Sequence, residues 1–287
     1  MQQRSIGDVR VGAVGLGAMP MSVGGRPDRD RSIATIHAAL DAGVTLVDTA
    51  DAYHLDASDP GHNEELVAEA LASHPAGADV LVATKGGHTR PADGSWALDG
   101  SPEHLAAAAR ESARRLGVEA IGLYQLHRPD PDVPFAESVG ALADLLDAGV
   151  IAMAGVSNVS IAQIEEADEI LDGRLASVQN EFSPAFLSSR GELEHCAARG
   201  IAFLPWSPFG GIGRAGDLGT EHSVFQHVAD AHGASAHRVA LAWHLQIAPV
   251  VVPIPGASRP ESVTDSAAAA DLVLTDDEVR SIDASLG

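Results

Sequence analysis

The stretch Val80-Leu81-Val82-Ala83-Thr84-Lys85 (VLVATK, 80–85) decides the fold. It is short, rich in β-branched residues and apolar on both faces until its end, as a strand covered on both sides reads. The next periodic segment is SPEHLAAAARESARRLG (101–117), which has helical spacing. Ser101-Pro102 reads as an N-cap followed by proline at the first helical position, and Gly117 stands where the helix should stop. IGLYQLH (121–127) then resumes the strand pattern. Strand, helix and strand in this order make a βαβ unit.

The alternation continues outward in both directions. VTLVD (44–48) precedes the helical stretch HNEELVAEALASH (62–74), and VPFAESVGALADLLDAG (133–149) follows His127. IAMAGVS (151–157) precedes SIAQIEEADEIL (160–171), and LASVQN (175–180) precedes SRGELEHCAARG (189–200). IAFLPWS (201–207) and VVVPIP (250–255) continue the series. Ser160 with Gln163, and Thr275 with Glu278, have capping-box spacing, while Gly149 and Gly200 mark helix ends. A βα unit repeated about eight times without a linker predicts an α/β fold, a single closed (β/α)8 TIM barrel. Residues 1–287 form its one domain, and TDDEVRSIDASL (275–286) adds a C-terminal extra helix. The rival is an open doubly wound sheet. GLGAMP (15–20) argues weakly for it, because Pro20 stands where a dinucleotide fingerprint needs its third glycine.

Composition narrows the function. A chain of 287 residues, 45% hydrophobic, can build a sizeable core. A net charge of −22 repels nucleic acid and anionic membranes, so neither is expected as a partner. One cysteine, Cys196, cannot form an internal disulfide, which suits a reducing, cytoplasmic compartment. No apolar run approaches ~20 residues, so no membrane span is expected. The early stretch VGAVGLGAMPM (11–21) is interrupted by glycines and reads as mature structure, not a signal core. A small molecule remains as the expected partner, with monomer or homo-oligomer left open.

The polar residues converge on one rim. In such a barrel the chemistry sits at the C-terminal ends of the strands. Asp48, Lys85 and His127 end three successive strand runs, and Tyr53 follows Asp48 in the next loop. Singly, each has a plainer reading: a helix cap, a solvated charge, a packed loop residue. Jointly they do not, because Lys85 is the single lysine among 18 basic residues. Lysine is a compact charge that responds to burial, whereas arginine is broad and always charged. An ammonium beside a phenol favours the phenolate, so Lys85 is expected to lower the Tyr53 pKa from its usual value of about 10. Asp48–Lys85–Tyr53 thus reads as a tuned acid, with His127 orienting a carbonyl or sharing in its protonation.

The segments DTADAY (48–53), VATKGG (82–87), LYQLHRPD (123–130), GVSNVS (155–160), VQNEFSP (178–184), LPWSPFGG (204–211) and VVPIPGASRPESV (251–263) together resemble the aldo-keto reductase superfamily. The resemblance runs in order from about Val14 to the C-terminus. It implies a (β/α)8 barrel that passes a hydride from a nicotinamide cofactor, usually NADPH, to an aldehyde or ketone. It places the family's catalytic tetrad on Asp48, Tyr53, Lys85 and His127, with Tyr53 as general acid. It assigns Ser157, Asn158 and Gln179 to the nicotinamide carboxamide and Trp206 to the nicotinamide face. Ser207, Phe209 and Gly211 would line the pyrophosphate loop, and Gly17 and Met19 would lie beside the nicotinamide ribose.

At the adenosine end the chain departs from the family. Asp265-Ser266 stands where many members have Glu-Asn, and Ser262 stands where a basic residue is frequent. Arg259, helped by Ser258, remains as a clamp for a 2′-phosphate, or else is a solvated helix-start residue. NADPH is the expected cofactor, with NADH use left open. Phe182 stands where tyrosine is frequent and is expected to alter only packing.

Met19, Met21, His54, His88, Trp96 and Arg128 are candidates for the substrate mouth. The long, acidic loop YHLDASDPGHNEE (53–65) is expected to narrow it or to disfavour anionic substrates. The pattern sits closer to bacterial and fungal branches, near pyridoxal-reductase-like members, than to aldose reductase. Three other functions compete. A non-catalytic nucleotide sensor or partner subunit would bind cofactor without turnover. A Schiff-base lyase would use Lys85 as nucleophile, although a paired carboxylate keeps lysine protonated. A metal hydrolase is remote, since no H-E-x-x-H motif or clear ligand set appears and no metal is expected.

Overall fold

The computed structural model describes residues 1–286. It opens with an antiparallel hairpin of β1 (Gln3–Ile6) and β2 (Val9–Gly12). The sheet begins with β3 (Leu16–Gly17), β4 (Leu46–Asp48) and β5 (Leu81–Gly86). A second hairpin, β6 (His88–Thr89) and β7 (Ala97–Leu98), leaves the end of β5. The sheet continues with β8 (Leu123–Leu126), β9 (Ala154–Ser157), β10 (Leu175–Gln179) and β11 (Ala202–Phe203). The seven strands pair in parallel in the order β3-β4-β5-β8-β9-β10-β11.

Residues 251–256 close this sheet into a barrel. Gly17 bridges to Gly256 on one side, and Phe203 bridges to Val251 on the other. Gly15 and Gly17 N–H groups donate to the Pro253 and Pro255 carbonyls at 2.9 and 3.0 Å. Val252 and Ile254 donate to the Phe203 and Pro205 carbonyls at 2.9 and 3.2 Å. Pro253 and Pro255 have no N–H to return to β3, so the expected strand VVVPIP closes the barrel without a complete ladder. The approach is close: a Cβ on Gly17 would lie 2.9 Å from the Ile254 carbonyl oxygen, so a side chain there would force the seam apart.

Strand parity decides what faces the barrel axis. Leu46, Leu81, Ala83 and Leu123 share an interior cluster with Val252 and Ile254, and Ile6 and Val11 of the first hairpin join it. Val47 and Tyr124 pack outward, in other clusters. Alternation therefore carries Asp48, Lys85, Gln125 and His127 inward at the C-terminal rim. Burying a leucine in such an interior contributes about 1.5–3 kcal/mol. The same residues that hold the barrel shut thus aim its polar ends.

Helices α1 (Arg29–Asp41), α2 (His62–Ala72), α3 (Pro102–Leu116), α4 (Phe135–Asp147), α5 (Ile161–Ile170) and α6 (Arg190–Arg199) form the outer layer. α7 (Leu218–Glu221), α8 (Ser223–His232) and α9 (Ala236–Ile247) lie between β11 and the closing segment. α10 (Pro260–Ala267) follows that segment, and α11 (Asp276–Leu286) is the C-terminal extra helix. The sequence reading did not delimit α1 or α7–α9, nor either hairpin. The expected caps are present: Ser101 accepts from the His104 N–H, and Ser160 and Gln163 form a full capping box. Phe182 is buried and stacks on Trp243 with centroids 5.7 Å apart. No helix among the described residues is long and apolar enough to cross a membrane.

Candidate active site

Lys85 is fully buried, and its Nζ donates to Asp48 Oδ1 at 2.6 Å, to the Thr49 carbonyl at 2.8 Å and to Tyr53 Oη at 3.3 Å. Three acceptors take its three protons, which holds it as an ammonium and not as a free amine. Register explains the meeting. Asp48 on β4 pairs with Ala83 on β5, and Lys85 comes two residues later on the same face. Tyr53 reaches back from the loop after β4, and its ring packs edge-on against His127 at 5.6 Å. The structure therefore brings together all four residues of the expected tetrad.

The environment sets their charge states. Burial pushes the Tyr53 phenol above its ordinary value, and the Lys85 ammonium pulls it back only in part. The expected net lowering is thus reversed, because desolvation outweighs the lysine. Burial by itself would lower Lys85, but Asp48 and Tyr53 hold it above the usual lysine value. Burial raises the Asp48 carboxyl against the attraction of Lys85 and a hydrogen bond from Gln179. Burial, then Lys85, His88 and Arg128, hold His127 well below its ordinary value, so it is a neutral imidazole at neutral pH. His127 Nδ1 is buried without a partner, leaving Nε2 to face the cavity.

A cavity of about 470 Å³ opens over this group. Asp48, Tyr53, His127, Gly17, Met19, Ser157, Asn158, Gln179, Trp206, Ser207, Phe209 and Gly211 all line it. Lys85 lies beneath. Its wall is tied together internally. Gln179 Nε2 donates to Asp48 Oδ2 at 2.8 Å and to Gln125 Oε1 at 3.0 Å. Ser157 Oγ donates to the Gln179 carbonyl at 2.6 Å. Asn158 Nδ2 donates to the His127 carbonyl and to Ser157 Oγ, both at 3.0 Å, while its Oδ1 accepts from Trp206 Nε1 at 3.2 Å. Asn158 and Ser207 sit at positive φ, 60° and 49°, a conformation that is costly outside glycine; the bonds above hold Asn158, and the Ser207 carbonyl accepts from the Gly210 N–H at 2.8 Å.

The adenosine-end candidates lie outside the cavity, on α10 and just before it. Asp265 accepts from Arg238 Nη2 at 2.6 Å and from Ser235 Oγ at 2.5 Å. Ser266 is buried, Ser262 and Ser258 are half-buried, and Arg259 is exposed. The Ser258 carbonyl accepts from Arg31 Nε at 3.1 Å.

The mouth divides the candidates. Met19, His88, Trp96 and Arg128 line the cavity. Met21 is fully buried in the core, and His54 turns its Nδ1 to the Asp56 carbonyl at 2.7 Å. Of the loop 53–65 only Tyr53 lines the cavity. Its acidic residues look elsewhere: Asp56 accepts from Ser58, Asp59 pairs with Arg26, and Glu64 pairs with Arg115 at 2.5 Å. They do not form the anion barrier that the loop's composition suggested. Sequence reading missed Gln125, whose amide links Gln179 to Ser177, although a polar residue inside LYQLH was a signal. It also missed Pro20, Pro208, Ile212, Ala215, Ile254 and Gly256 in the cavity wall, for which loop sequence carries no such mark.

Comparisons with known proteins place the chain in a family. The family model described as the aldo/keto reductase family matches residues 13–286. An uncharacterized oxidoreductase from Schizosaccharomyces pombe is 33% identical over 282 residues, covering 97% of this chain and 88% of the relative. Pyridoxine 4-dehydrogenase from Escherichia coli is 31% identical over 290 residues, covering 97% and 96%. The crystal structure of an aldo-keto reductase from Klebsiella pneumoniae in complex with NADPH superposes with a TM-score of 0.81 at 27% identity, covering 99% of this chain and 95% of that one.

Proposed function

The chain belongs to the aldo/keto reductase family, and from that premise we propose that it reduces an aldehyde or ketone to an alcohol with NADPH, Tyr53 acting as general acid. One observation carries the reading: a buried ammonium, Lys85, bridges a carboxylate and the phenol that faces the cavity. The donor set fits a nicotinamide nucleotide. Trp206 offers a flat face beside the amide-rich wall of Ser157, Asn158 and Gln179. Gln179 has both N–H bonds engaged, so its Oε1 is left to accept from a carboxamide. Gly211 at φ 93° and the backbone of Ser207 and Phe209 suit a close pyrophosphate. Arg259, exposed at the start of α10, suits the 2′-phosphate that separates NADPH from NADH. When bound, the cofactor supplies the hydride.

The chain's own residues do the rest. Tyr53 is protonated at neutral pH and gives that proton to the substrate oxygen as negative charge builds there. Lys85 stabilises the phenolate left behind, and Asp48 fixes the lysine in place. His127, neutral, donates a hydrogen bond from Nε2 and orients the carbonyl. Such preorganised donors each contribute about 2.7–4 kcal/mol to the barrier reduction. The test pairs fluorescence titration of NADPH and NADH with turnover of an aldehyde panel that includes pyridoxal and 4-nitrobenzaldehyde. Wild type should bind NADPH and oxidise it, while Tyr53→Phe should bind it and turn over about 10²–10⁴-fold more slowly. Binding without turnover in wild type would favour a sensor. Failure to bind either nucleotide would return attention to Lys85 as an amine.

A further inference from the structure

The arginines of this acidic chain are almost all occupied. Among the described residues, each has a carboxylate within 4.0 Å or a side-chain hydrogen bond, except Arg128 and Arg259. With 40 acidic residues available, an unpaired arginine is conspicuous. Arg259 has its reading at the cofactor's adenosine end. Arg128 does not. It follows His127 directly, is exposed, and lines the cavity beside His88 and Trp96. The one carboxylate lining the cavity, Asp48, is already engaged by Lys85 and Gln179. Glu181 lies close enough to feel the Arg128 charge but does not reach it within 4.0 Å. The neighbouring Arg90 illustrates the contrast, since its guanidinium covers the Trp96 ring at 4.2 Å and donates to the Leu55 carbonyl at 2.8 Å.

We infer that Arg128 binds an anionic oxygen group, carboxylate or phosphate, carried by the carbonyl substrate a few bonds from its reacting carbon. The inference rests on the reductase reading and names its substrate class. A guanidinium matches such groups with two parallel N–H bonds, and Arg128 lines the same cavity as the carbonyl-orienting His127, close enough for its charge to act on that imidazole. It also runs against what the acidic loop 53–65 implied, because none of that loop's carboxylates lines the cavity.

The test compares matched substrates with saturating NADPH: benzaldehyde with 4-carboxybenzaldehyde, and pyridoxal with pyridoxal 5′-phosphate. Wild type should favour at least one charged member by kcat/KM, and the pair that shows it separates carboxylate from phosphate. In Arg128→Gln the charged-to-neutral ratio should fall about tenfold or more, mainly through KM. Arg128→Lys should recover part of it, keeping the charge without the fork. A wild type indifferent to the charge, or an Arg128→Gln variant that slows both members alike, would overturn the inference. So would an equal loss of NADPH affinity in Arg128→Gln, which would assign the arginine to the cofactor. Failure on every member, neutral and charged, is a different result: it removes the reductase reading and this inference with it.

Discussion

Two carboxylate–cation pairs of equal length sit in opposite surroundings. Asp48–Lys85 and Asp265–Arg238 are both 2.6 Å contacts. The first is 4% and 0% exposed, the second 29% and 31%. Distance alone would rank them alike. Burial separates them, because a buried pair cannot lose one member without stranding the other away from water, whereas a half-exposed pair can let solvent replace it. The buried pair also perturbs what it touches: Lys85 pulls on the Tyr53 phenol and presses down on His127. A pair of this kind is an element of chemistry. A pair at the surface can serve at most to adjust the field around a ligand.

The largest effect should come from splitting the inner pair. Lys85→Met leaves Asp48 buried without its cation, which should cost about 3–5 kcal/mol of stability, read as a fall in denaturant midpoint. Turnover should fall about 10²–10⁴-fold at the same time. Asp48→Asn combined with Lys85→Met should recover much of the stability and none of the turnover. Recovery of both would break the distinction between a structural pair and a catalytic one.

The pH profile sharpens the same contrast at lower cost to the protein. Reduction needs Tyr53 protonated and, on this reading, His127 neutral. Tyr53 is displaced upward from 10.0 by burial, and His127 well downward from 6.5 by burial and by Lys85. The carbonyl-reduction kcat should therefore stay level between those two values. It should fall only once the pH rises past the phenol's displaced pKa or drops past the imidazole's. A limb centred near pH 6.5 would mean that His127 is not buried against a cation as described.

Legibility in the sequence follows the same line between inside and outside. The alternation of strand and helix patterns put Lys85 and His127 at the C-terminal ends of VLVATK and LYQLH, whereas their inward direction follows from strand parity once the interior cluster of Leu46, Leu81, Ala83 and Leu123 is known. The barrel was legible for the same reason, even through VVVPIP, where the prolines remove half the ladder and leave the carbonyls to close the seam. The charge state of Tyr53 was not legible. The sequence shows that a lysine is near, but desolvation depends on how completely the loop after β4 is covered. The mouth was legible in part. Trp96 and His88 are brought over the site by a small hairpin whose turn, with the Gly94 N–H bonded to the Pro91 carbonyl at 2.9 Å, reads in sequence as an ordinary surface turn. The acidic loop misled because composition says nothing about direction: Asp59 and Glu64 are turned away by Arg26 and Arg115, residues distant in sequence.

The smallest effect belongs to the outer pair, and it divides between two arginines. Arg238→Gln removes a half-exposed contact, so stability should change by about 0.2–1 kcal/mol. Its consequence for ligand is indirect. Asp265, no longer neutralised, would present a carboxylate on α10, about 9 Å along the helix from Arg259 at its start, which is proposed to meet a 2′-phosphate. NADPH should then bind a few-fold more weakly while NADH binding holds. Arg259→Ser should weaken NADPH about tenfold or more, since it removes the charge-assisted contact itself. Both variants are read by the same fluorescence titration, and both should lose their NADPH effect as salt rises, because the Debye length shrinks to about 3 Å at 1 M. If Arg238→Gln weakened NADPH more than Arg259→Ser, the outer pair would no longer be a bystander. Arg238 would then be the phosphate's partner, and Asp265 the group that holds it ready.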